Sequence, residues 1–169
     1  MNIDLSQFHD ERVSSISIRG EIEETRIDFN GREIQILEPI EYEGEIYRID
    51  GEKLLHLYIS YRYREACGRC LDSFIKGDSV GIEARLDEEV RAVADGEDDT
   101  IYYMDDKLNL RDHIIDAIIL SLPMKPLCGE NCKGLCPSCG VNHNTMECDC
   151  ITDDIDPRFE KLKDFFPDK

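Results

Sequence analysis

Eight cysteines constrain this chain more than anything else in its 169 residues: six fall between Cys128 and Cys150, and the other two are Cys67 and Cys70. Thiols at C-x-x-C spacing serve as disulfide partners, redox centres or metal ligands, and the redox compartment narrows the choice. The opening residues MNIDLSQFHDERVSS show no basic start, apolar run or small-residue cleavage site, so no secretory signal and a cytoplasmic location are expected. In a reducing cytosol, close cysteine pairs are metal sites or redox centres rather than a disulfide framework. The longest apolar stretch, Ile114 to Leu122, is broken by Asp116 and falls far short of the roughly 20 residues a membrane span needs. No membrane is implied.

The run C-P-S-C-G from Cys136 to Gly140 has the form of a metal knuckle, in which backbone amides point at both sulfurs while the chain reverses. A small residue after the second cysteine eases that turn. Cys148 and Cys150 can supply a second pair, so Cys136, Cys139, Cys148 and Cys150 are expected to hold one ion. Cys67, Cys70, Cys128 and Cys132 would form a second tetrahedral centre that ties the C-G-R-C turn to a distant segment, and its binding energy would act as folding energy. This partition rests on chain continuity. Exchange of Cys132 with a distal cysteine, or replacement of one ligand by His143, also satisfies the spacing. The expected cofactor is zinc, two ions with four cysteines each, with iron second because a tetrahedral four-thiolate site suits both.

Sites filled by thiolate leave no open position for water or substrate. The chain also lacks a Gly-rich phosphate loop, a G-x-S-x-G and an H-E-x-x-H. Neither an enzyme nor a small-molecule substrate is therefore expected. The alternative is a redox or metal-transfer protein that uses its thiols chemically, with Cys70 activated beside Arg69. Against it, the βαβ context of a thioredoxin-like C-x-x-C is not seen around Cys67.

The rest of the chain reads as α+β: an antiparallel β-rich main domain with one buried helix, a four-cysteine zinc-ribbon-like module and a short terminal helix. Ile16, Ile18 and Ile22 alternate with polar residues, and Ile34 and Ile36 repeat the pattern. Asp50-Gly51 signals a tight hairpin turn. The strand after it places Leu55, Leu57, Ile59, Tyr61 and Tyr63 on one face and His56, Tyr58, Ser60, Arg62 and Arg64 on the other. It runs into Cys67, and alternation resumes through Ile82, Ala84 and Leu86, so C-G-R-C is expected at a turn between paired strands. LNLRDHIIDAIILSLP predicts a helix over about 109–122, capped by Asn109, favoured by Asp112 and stopped by Pro123. Its many apolar residues predict burial around most of its circumference. His113 reads as an edge histidine rather than a ligand. Phe159, Leu162 and Phe166 form one apolar stripe after Asp156-Pro157. The expected divisions are 1–127, 128–155 and 156–169, with the terminal helix packed on the main domain.

The net charge is −18, with nine acids and one arginine between residues 87 and 106, a stretch that reads as a solvated loop. Such a field repels phosphate, so a basic protein is an easier partner than nucleic acid. The residues available for RNA are His56, Tyr58, Arg62 and Arg64 on one strand face, with Arg69 in the knuckle.

The ordered set CGRCL from Cys67, LSLPMKPLC ending at Cys128, CKGLCPSCGVNHN, CDC and IDPRFEKLKDF resembles the YceD-like family of large-subunit ribosomal RNA accumulation proteins in its cysteine-rich form. The likeness runs over roughly residues 55 to 166; the first fifty residues agree only in being β-rich. It implies a non-enzymatic factor in ribosome assembly or in RNA processing and protection, whose partner is a ribosomal protein, large-subunit rRNA or an assembly intermediate. It also implies that Cys67 and Cys70 form the family's core pair, that Cys128 and Cys132 stand in its second segment, and that the distal cluster is an addition. The family's association by gene neighbourhood with a small basic ribosomal protein agrees with an acidic chain.

Overall fold

A two-residue turn sets the register of the central sheet. Asp50 and Gly51 both have positive φ, 52° and 87°, as a type I′ hairpin requires, and their tolerance of that region explains their place there. The computed structural model of the chain describes residues 2–29, 31–88 and 100–150. Within them the turn joins β5 (Ile40–Ile49) to β6 (Glu52–Ala66), pairing Ile49 with Glu52 and Glu41 with Ser60.

The long strand β6 is the spine. One edge carries β5 and then, at Tyr63 and Arg64, β4 (Arg32–Ile36); the other is covered from Lys53 to Ala66 by β7 (Ser73–Glu88). Outside these lie β2 (Ser15–Ile22) on β5 and β3 (Arg26–Phe29) on β4, all antiparallel. β8 (Thr100–Tyr103) departs from the expected antiparallel order and runs parallel to the end of β7. The acidic stretch is accordingly not one uniform loop. Asp87 and Glu88 end β7, and Asp105 and Asp106 take positive φ in a tight turn before β9 (Lys107–Leu108), which pairs with β1 (Ile3–Asp4); residues 89–99 lie outside the described part.

Alternation along β6 decides which face is core. Leu55, Leu57, Ile59, Tyr61 and Tyr63 are buried in one continuous cluster with Ile16, Ile18, Ile34 and Ile46, while His56, Tyr58, Arg62 and Arg64 stay exposed. Helix α1 (Arg111–Ser121) closes this face with Leu110, Ile114, Ile118 and Leu122, all buried. The Asn109 side chain accepts the Arg111 N–H at 3.1 Å and so satisfies one open donor at the helix start. Burial around most of the circumference is not observed: Leu120 is 84% exposed and Ile115 and Ile119 are half-buried. A sheet covers one side of a helix, and the i, i+4 stripe of Leu110, Ile114, Ile118 and Leu122 is the side it takes.

One buried ion pair orients the chain after the helix. Glu65 is buried at the end of β6 against the Arg32 guanidinium, which also donates to the Pro123 carbonyl at 2.8 Å. Arginine serves here because its planar fork reaches a carboxylate and a carbonyl together. The expected terminal helix with Phe159, Leu162 and Phe166 lies outside the described residues.

β5 and β6 approach closely at Gly44, where a Cβ would overlap the His56 carbonyl oxygen; at Gly81 it would meet only the Leu57 carbonyl at 3.7 Å. Gly44→Ala is therefore expected to cost about 1–3 kcal/mol of stability, and Gly81→Ala less than about 0.5 kcal/mol, as urea unfolding of the two variants will show.

Candidate metal centres

The strand pair β6–β7 ends in a turn that is built to present sulfur. The Cys67 N–H donates to the Asp72 carbonyl at 2.9 Å and the Leu71 N–H to the Cys67 carbonyl at 2.9 Å, while Gly68 N–H reaches the Pro126 carbonyl at 2.8 Å. That last bond lays the segment leaving α1 against the turn. Cys128 and Cys132 follow, and the Sγ atoms of Cys67, Cys70, Cys128 and Cys132 all lie within 4.8 Å of one another.

Two of the separations in this quartet are 3.8 Å, Cys67 to Cys132, and 3.7 Å, Cys70 to Cys128. A disulfide would need about 2.05 Å. A tetrahedron of thiolates at a metal–sulfur distance of about 2.3 Å has edges of about 3.8 Å. The residues therefore fit a tetrahedral metal ion, and of the four only Cys128 is exposed. Phe74, Leu127 and Leu135 pack around the sulfurs.

The second quartet is Cys136, Cys139, Cys148 and Cys150, again within 4.8 Å. Cys136 N–H donates to Val141 and Gly140 N–H to Cys136, at 2.8 and 2.9 Å, closing a knuckle in which Gly140 has φ +75°. The partition expected from chain continuity is the one found, and His143 belongs to neither set. Between 128 and 150 the described residues hold one isolated bridge, Leu135 with Asn142, and no strand. The cluster thus stands without the strands of a zinc ribbon, its form given by paired knuckles.

Electrostatics explain why each quartet calls for a cation. Burial opposes ionisation of Cys67, yet the amides of Cys70, Cys128 and Arg69 outweigh it and bring the thiol down to about 6. The amides of Cys139 and Ser138 likewise bring Cys136 down to about 6. Neighbouring sulfurs have the opposite effect elsewhere: Cys132 pushes Cys128 up to about 12, and Cys139 does the same to Cys150. Four thiolates this close repel one another, and a divalent ion removes that repulsion as it displaces the remaining protons.

Two asparagines and an arginine that spacing alone did not single out join the centres. Asn144 Nδ2 donates to Cys132 Sγ at 3.3 Å and holds that thiol below its ordinary range, while its Oδ1 accepts the Lys133 N–H. Asn142 Nδ2 donates to Asp72 at 2.5 Å. Arg69, considered above for RNA, donates to the Cys132 and Glu130 carbonyls at 3.0 and 3.4 Å, and its own carbonyl accepts the Leu135 N–H. For the asparagines the cue in the sequence is the polar run N-H-N placed between two cysteine pairs, and for Arg69 it is its place inside C-G-R-C.

His56, Tyr58, Arg62 and Arg64 share the outer face of β6, among acids. Arg62 pairs with Glu38 at 2.5 Å, His56 faces Glu83 at 3.7 Å, and Arg64 meets Gln35 at 3.2 Å. Glu43 and Glu45 lie across from Tyr58 and His56, and Glu41 lies across from Ser60 on the same face. No described helix is long and apolar enough to cross a membrane.

A family model described as "Large ribosomal RNA subunit accumulation protein YceD" matches residues 55–166, which include both quartets. An uncharacterized protein of Mycobacterium tuberculosis is 42% identical over 108 residues, covering 57% of this chain and 47% of its own. A counterpart in Mycobacterium leprae is 28% identical over 139 residues, 79% of this chain and 64% of its own. The chloroplastic large ribosomal RNA subunit accumulation protein YCED homolog 1 of Zea mays is 39% identical over 56 residues, 31% of this chain and 19% of its own. The matched segment thus spans about half the length of the first of these relatives. No solved structure matches the chain.

Two ions per chain are expected on elemental analysis, and one in each of Cys67→Ser and Cys136→Ser. Because Cys139 is exposed and Cys148 and Cys150 half-buried, whereas Cys67, Cys70 and Cys132 are buried, a chelator is expected to strip the distal ion first. Thermal unfolding should then fall more for Cys67→Ser, which opens the link between sheet and helix, than for Cys136→Ser.

Proposed function

The chain belongs to the YceD family of large ribosomal RNA subunit accumulation proteins, and on that premise we propose that it is a non-enzymatic, zinc-stapled factor of large-subunit biogenesis. It supports accumulation of large-subunit rRNA by binding a basic ribosomal protein within a reducing compartment. The observation that carries this reading is the pair of four-cysteine centres inside the matched segment. A tetrahedral four-thiolate donor set suits zinc and leaves no coordination position for a substrate, so the metal's role is structural.

The preference for a protein partner rests on charge. A chain of net charge −18 attracts the lysine- and arginine-rich surface of a ribosomal protein and repels the phosphate backbone at long range. The face proposed for RNA is itself laced with Glu38, Glu41, Glu43 and Glu83, which favours the same choice.

Cells lacking the protein are expected to show a lower ratio of large- to small-subunit rRNA, restored by the parent chain and not by Cys67→Ser; an unchanged ratio would remove the reading. Filter binding of protein-free large-subunit rRNA across a salt series separates the partners. No retention is expected even at low salt, and retention that weakens steeply with salt would instead assign rRNA to His56, Tyr58, Arg62 and Arg64.

A further inference from the structure

The two knuckles share one backbone plan and differ in the residue that follows the second cysteine, Leu71 in one and Gly140 in the other. In each, the residue after the second cysteine donates its N–H to the carbonyl of the first at 2.9 Å, Leu71 to Cys67 and Gly140 to Cys136. Both adopt left-handed backbone, φ +63° at Leu71 and +75° at Gly140. Glycine takes that conformation freely, whereas a Cβ crowds the following carbonyl. A bulky residue there is an outlier whose strain must be offset.

Burial does not offset it. Leu71 is 68% exposed, and Met124, two residues before the Pro126 carbonyl that Gly68 binds, is fully exposed. Leu71 thus gives the fold neither an easy conformation nor a packed side chain. What it provides is an apolar group held outward on a turn that is anchored by metal ligands on both sides.

We propose that Leu71 is a docking anchor, with Met124 an adaptable neighbour, for an apolar pocket on a basic protein of the large subunit. The partner's class rests on the function proposed above. Its charge is argued from the module: Asp72, Glu130, Glu147 and Asp149 are exposed there, and a divalent ion in a four-thiolate site leaves each centre negative. The exposed Lys125 and Lys133 do not reverse that sign. A rigid turn presenting one apolar side chain loses little freedom on binding, as an anchor should.

The test uses the metal-loaded full chain with a photoreactive leucine analogue at position 71, incubated with total protein extracted from purified large subunits and separately with protein-free large-subunit rRNA. Crosslinking to one basic ribosomal protein, identified by mass spectrometry, is expected. Leu71→Asn, which tolerates left-handed backbone, should keep both ions and its unfolding midpoint, yet bind that protein roughly thirtyfold more weakly. Leu71→Met should restore most of the binding. Crosslinking to rRNA alone, or to nothing, overturns the proposal. So does a Leu71→Asn chain that loses metal or stability, since Leu71 would then be structural. If Cys67→Ser abolishes rRNA accumulation while Leu71→Asn complements fully, the anchor fails and the functional reading stands; if neither variant changes accumulation, the functional reading fails first.

Discussion

Four sulfur atoms that would repel one another as thiolates hold the ends of this fold together. Cys67 and Cys70 are carried by the spine of the sheet, Cys128 and Cys132 by the chain that has just left the helix. Between the two pairs lie the second half of the sheet and the whole of α1. An ion joining them closes a long loop, so its binding energy favours the native pairing of sheet and helix over open chains. The Arg32–Glu65 pair and the Gly68–Pro126 hydrogen bond bring the Cys128 segment into place. These contacts allow the quartet to exist as geometry and let the metal act on a turn already formed.

The distal centre depends on the proximal one more than the reverse. Its knuckle is short, partly exposed and without strands, and the residues that seat it, Asn142, Asn144 and Leu135, hydrogen-bond to Asp72, Cys132 Sγ and the Arg69 carbonyl. Each of these partners belongs to the proximal centre or its turn. Loss of the proximal ion would free the distal knuckle from its seat while leaving its own four ligands together, whereas loss of the distal ion would leave β6, β7 and α1 joined.

Much of this was legible because the residues involved have few alternatives. Alternation through Leu55 to Tyr63 admits one buried face, Asp50-Gly51 admits one kind of turn, and close cysteine pairs at these spacings admit few uses. What was not legible depends on partners far away in sequence. Apolar residues lie around most of the circumference of α1, and only the sheet decides that Ile114 and Ile118 go inward while Leu120 faces out. The parallel placement of β8 is a pairing choice that no local pattern records. The charge of Arg69 is legible in the sequence, but the reach of its guanidinium to main-chain carbonyls beyond Cys128 is not, because that contact requires knowing that the two cysteine segments meet.

The same electrostatics act at two scales with opposite signs. Within each quartet, repulsion between thiolates is what makes a cation bind; across the whole molecule, binding two ions with all eight thiols ionised leaves the protein no less acidic than before. Among the described residues, positive side chains are mostly committed already: Arg62 to Glu38, Arg111 to Glu24, Arg32 to Glu65, Arg69 to main-chain oxygens. A surface with its cations paired and its acids in excess repels a phosphate backbone at long range. Ions held by the two quartets would therefore do more than staple the fold, because the eight thiolates around them would concentrate negative charge at the end of the molecule where the sheet, the helix exit and the exposed Leu71 converge.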